Sequence, residues 1–75
     1  NSNVKAKDTV IMEIYRELAR ELPIRKKKAS LYVSVAIAER LKEDPAPLAD
    51  LEKKTGHQII VKPVDRFHQE RFEII

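Results

Sequence analysis

The amino-acid sequence predicts an α+β domain, a two-layer sandwich of about three helices against a three-stranded sheet, in the order αβααββ. Three observations predict it. Apolar residues recur at helical spacing in three stretches, and β-branched or alternating runs fill three others. Pro, Gly and Asp-Pro punctuation separates the two kinds of segment. The chain has 75 residues, 43% of them hydrophobic and 36% charged, with a single Gly. That length and balance describe one small globular domain or a fragment of a larger protein, and exclude collagen-like, low-complexity and disordered chains.

Asn1-Ser2-Asn3 is a short polar stretch, read as a flexible lead-in or a cloning remnant, and residues 4–75 form the single domain. Asp8 or Thr9 is placed to cap a first helix. Val10, Ile11, Ile14, Tyr15, Leu18 and Leu22 then follow at spacings of three, four and seven on one broad face. Glu13, Arg16, Glu17, Arg20 and Glu21 fill the opposite face, and Pro23 stops the helix near Glu21 or Leu22. The basic run Arg25-Lys26-Lys27-Lys28 leads into a strand from Ala29 to Val33, where Leu31, Val33 and Val35 alternate with Tyr32 and Ser34.

Ser34 is well placed to cap a second helix, which buries Ile37, Ala38 and Leu41 and ends at Asp44-Pro45. Pro47 suits the first turn of a third helix, with Leu48, Leu51 and Thr55 turned inward. Gly56 falls where that helix needs a left-handed terminating residue. Gln58 to Val61 is a β-branched strand that Pro63 ends or confines to a sheet edge. Phe72 to Ile75 is the last strand. It is expected to form a hairpin with the preceding one across a polar connection of about nine residues, long for a hairpin loop.

The charge is unevenly divided. The formal net charge is +3, yet residues 1–30 hold eight Lys or Arg against four acids. The remainder is close to neutral, so attraction to an anion is concentrated in the first half, above all at Arg25, Lys26, Lys27 and Lys28. These four could neutralise phosphates of RNA; they could equally be a solvated loop that keeps a small domain soluble. There is no Cys, which removes disulfides and thiolate metal sites and agrees with a cytoplasmic location. The longest apolar runs are too short to span a bilayer, and no signal peptide is expected.

Chemistry is sparsely represented. His57 and His68 lie in different segments, without the helical two-His spacing of a zinc protease. The carboxylates are interspersed with Lys and Arg as on helix surfaces. The lone Gly serves as a helix cap rather than a phosphate loop, and Ser2, Ser30 and Ser34 lack a nucleophile's setting. Small RNA-binding folds are also poorly matched: of Tyr15, Tyr32, Phe67 and Phe72, only Tyr32 is expected on a central strand face. Phe67 and Phe72 read as packing residues.

Four stretches bear a family resemblance. Leu51-Glu52-Lys53-Lys54-Thr55-Gly56-His57-Gln58-Ile59-Ile60-Val61, followed by His68-Gln69-Glu70-Arg71-Phe72-Glu73-Ile74, resembles the C-terminal end of the catalytic region of bacterial ribonuclease E/G family endoribonucleases. Asp8-Thr9-Val10 through Leu22 is similar to the helix that follows that family's zinc-linking Cys motif. Val33 to Leu41 is similar to its next strand-to-helix unit, with Ser34 and Val35 in place of the common His-Pro. The resemblance covers residues 4–75, and none of its motifs is catalytic.

It implies a non-catalytic small C-terminal domain that supports oligomer assembly of an Mg²⁺-dependent hydrolase acting on single-stranded RNA. The Mg²⁺ and Zn²⁺ would belong to parts of the parent protein that precede Asn1. No cofactor is expected in this chain itself. A homo-oligomer is then expected, with Tyr15, Leu22 and Ile75 as exposed apolar contacts. The alternative reading is a small RNA-contacting module that uses Arg25 to Lys28.

Overall fold

A computed structural model describes residues 4–75, so the expected lead-in at 1–3 lies outside the described residues. Helix α1 spans Lys7–Glu21 and continues into a 3₁₀ turn at Leu22–Ile24. Strand β1 is Lys28–Ser34, α2 is Val35–Glu43, α3 is Ala46–Thr55, β2 is Gln58–Val64 and β3 is Phe72–Ile74. The expected α+β class and element order are therefore present.

Each boundary has a local cause. Pro23 lies inside the 3₁₀ turn and has no N–H to extend the α-helical ladder. The Ser34 hydroxyl accepts from the Ile37 amide at 3.2 Å, capping α2 as its position suggested. Gly56 closes α3 at φ 71°, and its amide donates to the Glu52 carbonyl at 2.8 Å. The start of α1 differs from expectation. Ala6 holds the cap position with no side-chain bond, and Asp8 lies inside the helix, paired with Arg40 at 3.2 Å.

The sheet order is β2-β1-β3, with β1 parallel to β2 and antiparallel to β3. The expected hairpin between the last two strands does not form. Its partners instead flank β1, and the connection 65–71 crosses the sheet from one edge to the other. The reason is burial. Among the described residues, Ala29, Leu31 and Val33 are the only strand side chains fully enclosed in the hydrophobic core, so the strand carrying them takes the centre, where both backbone edges are also paired. Pro63 is then tolerated because β2 is an edge strand.

The core is one cluster. Val10, Ile14, Leu18 and Leu22 form a buried stripe along α1 at a spacing of four, against Leu31, Val33, Ile37 and Leu41. Ile59, Val61, Phe72 and Ile74 pack on it from the edge strands. These strand residues all share one face of the sheet, so the helices form a single layer on that side. Val35 follows the Ser34 cap as the first residue of α2, and it is exposed. Helix α3 is the least committed of the three helices: it has no fully buried residue, and Leu48 and Leu51 are half-buried. Thr55 is half-buried as well, and its hydroxyl donates to the Leu51 carbonyl at 2.7 Å.

Candidate functional site

The four basic residues of the loop before β1 do not act alike. Arg25 turns back onto the fold. Its guanidinium donates to the Glu21 carboxylate at 2.9 and 3.2 Å, and to the Ile74 main-chain carbonyl at 2.9 Å. Arg25 is thus committed to tying the end of α1 to β3, which corrects its assignment as a free phosphate contact. The spacing of four between Glu21 and Arg25 carried that signal, since such pairs face each other on a helix and just beyond its end.

Lys26, Lys27 and Lys28 are exposed, and none forms an ion pair among the described residues. Their backbone is held in place. The Gln58 amide donates to the Lys27 carbonyl at 2.9 Å, and His57 Nε2 lies 2.9 Å from the Arg25 carbonyl oxygen. The same contacts bring the end of α3 alongside, so Lys53 and Lys54 share this end of the molecule. They too are exposed, with no ion pair among the described residues. As late lysines of α3 these two suit the dipole of their own helix, and the sequence alone shows no more of them. The step it lacked was the pairing of the β1 and β2 starts, which gathers five unpaired lysines at one pole.

The three apolar candidates also part company. Leu22 is 0% exposed and completes the buried stripe of α1, so it is a core residue and not an assembly contact. Its place four residues after Leu18 extends the apolar face past the helix end. Ile75 is 63% exposed, and it is joined by Ile24, the most exposed large apolar side chain at 82%. The Arg25–Ile74 bond draws their segments together. Ile24 lies after Pro23, outside the periodic stripe, and that break in phase was its sequence signal.

Tyr15 is half-buried in a groove of about 360 Å³ between α1 and α3, with Met12, Ala19, Pro47 and Leu51 around it. Its phenol is held above the usual tyrosine value, chiefly by burial and then by the Asp44 carboxylate. Tyr32 stands on the central strand, as expected, on the sheet face opposite the helices.

The two histidines differ in their surroundings. His57 Nδ1 lies 2.8 Å from the Thr55 carbonyl oxygen, so both ring nitrogens are engaged by main chain. His68 is exposed in the connection 65–71. Among the described residues, no group of three or more His, Asp or Glu is placed to hold a metal ion. No helix among them is long and apolar enough to cross a membrane. No family model matches this chain, and no curated protein matches it.

Proposed function

We propose that this chain is a non-catalytic domain that supports oligomer assembly of an RNA-processing endoribonuclease of the ribonuclease E/G type. The resemblance along residues 4–75 supports the parent's identity. The observation that carries the assembly role is the pair Ile24 and Ile75, two large apolar side chains left in water on neighbouring segments. Burying both in a contact would remove apolar surface at about 25 cal/mol per Å², roughly 1.5–3 kcal/mol for each full side chain. Under this reading Mg²⁺, Zn²⁺ and bond cleavage belong to other parts of the parent enzyme, in the cytoplasm. Analytical ultracentrifugation is the test. The chain should associate with increasing concentration, and Ile24→Glu with Ile75→Glu should hold it monomeric. A wild-type chain that stays monomeric at high concentration sinks the assembly reading.

A second reading has its own observation. The five unpaired lysines at one pole suit an RNA backbone, with contact centred on Lys26, Lys27 and Lys28. Replacing these three by Ser should weaken single-stranded RNA binding and flatten its salt dependence. Unchanged affinity would remove this reading.

A further inference from the structure

The alternation along β1 leaves one face of the sheet without a covering layer. Ala29, Leu31 and Val33 point to the helices, so Lys28, Ser30 and Tyr32 point away. The register places Ile60 beside Ser30 on this face, and sets Lys62 and Glu73 on either side of Tyr32. Tyr32 is therefore a half-buried aromatic ring at the centre of an open sheet, with the Lys62 ammonium 5.4 Å from its centroid.

The charges on this face are arranged with one sign free. Glu73 is its acid next to Tyr32, and Arg71 pairs with that carboxylate at 2.7 Å. The same guanidinium lies 4.2 Å from the centroid of the Phe67 ring. Lys28 and Lys62 are exposed, with no ion pair among the described residues. Lys28 stands about 13 Å from Tyr32, four residues along an extended strand. A path along β1 thus runs from the lysine pole, past Tyr32, to the Arg71–Phe67 pair.

We propose that this open face is a platform for single-stranded RNA, with one base stacked on Tyr32 and the backbone followed by Lys62, Lys28 and the lysines before β1. The inference rests on the RNA-contact reading and names the surface that reading would use. Aromatic rings interleaved with unpaired cations are the chemistry that holds single strands, because every base has a face to stack and every linkage a negative charge. The Lys62 ammonium now occupies the ring face through a weak, exposed cation–π contact. A base displaces it, and its flexible stem carries the charge to the adjacent phosphate. The surface offers stacking and charge but no fixed fork of base-edge donors, so binding is tolerant of sequence.

The test measures fluorescence anisotropy of an end-labelled oligouridylate with the wild-type chain and with Tyr32→Ala, Tyr32→Phe and the Lys26–Lys28→Ser triple variant. Tyr32→Ala should weaken binding by about tenfold or more, the scale of one lost stack, while Tyr32→Phe keeps the ring and the affinity. A second readout does not depend on the alanine variant folding. The chain has two Tyr and no Trp, so in Tyr15→Phe the emission comes from Tyr32 alone. Oligouridylate should quench it, and duplex RNA should not.

If the triple variant loses affinity while Tyr32→Ala keeps it and emission is unquenched, the platform is refuted and the loop-contact reading survives. If the wild-type chain binds no oligouridylate, both fall. Self-association that Tyr32→Ala abolishes, with no RNA binding, assigns the face to a second copy and also overturns the proposal.

Discussion

Replacing Arg25 by Ala separates a structural arginine from a phosphate contact. The side chain is about one-quarter exposed, at 26%, and its Glu21 partner is at 31%. A pair this close to solvent, one turn apart, contributes about 0.5 kcal/mol. The bond to the Ile74 carbonyl is charge-assisted, and such bonds contribute about 1.5–3 kcal/mol. The low end applies, because water can reach a carbonyl on an edge strand once the guanidinium is gone. The sum is a loss of about 2 kcal/mol. With a urea dependence of about 1 kcal/mol per molar for a domain this size, the midpoint should fall by about 2 M. Lys27→Ala, which removes the same charge without a contact, should stay within about 0.5 kcal/mol of the parent. Glu21→Gln leaves the Ile74 bond in place and should cost about 0.5 kcal/mol. Hydrogen exchange adds a location: the Ile75 amide, bonded to the Ser30 carbonyl at 2.9 Å, should exchange faster in Arg25→Ala than in Glu21→Gln. Equal urea midpoints for Arg25→Ala and Lys27→Ala would refute the assignment.

Three further outcomes follow from the geometry. Leu22→Ala should cost about 2–5 kcal/mol in urea melts, the range for emptying a closed core site, whether or not the chain associates. Gly56→Ala meets no atom within 4 Å of the added methyl; its cost is confined to the left-handed backbone, about 1–2 kcal/mol by the same measurement. Tyr15 links stability to alkaline pH. Its folded-state value is raised above 10.0, so its contribution is complete below the unfolded value and is lost as pH rises through the folded one. Stability measured from about pH 9 to 11 should fall more steeply for the parent than for Tyr15→Phe, and parallel curves would contradict the buried phenol.

What the sequence made legible was local. The spacing of Val10, Ile14 and Leu18, the hydroxyl of Ser34 and the lone Gly56 each act through neighbours a turn away, so each could be read in place. Strand partnership could not. A period of two says which face a side chain occupies, but not which strand lies beside it, and the proximity of β2 and β3 in sequence suggested a hairpin. The three enclosed side chains of β1 decided otherwise. The candidate site was half legible for the same reason. Lys26 to Lys28 were visible as a run, while their grouping with Lys53 and Lys54 depends on parallel pairing. Asp8 and Arg25 are residues whose partners, Arg40 and the Ile74 carbonyl, lie far along the chain.

The central place of β1 also orders events while the chain is being made. Synthesis runs from the N-terminus, so the middle strand emerges before either of its neighbours. Until Gln58 and the residues after it appear, Leu31 and Val33 have a helix layer to lean on but no strand beside them. Pairing to β3 waits longer still, for Phe72 onward. From Ser34 until Gln58 arrives, the nascent chain therefore carries an apolar strand with both backbone edges open. The lysines just ahead of that strand stand where like charges keep two such unfinished chains apart.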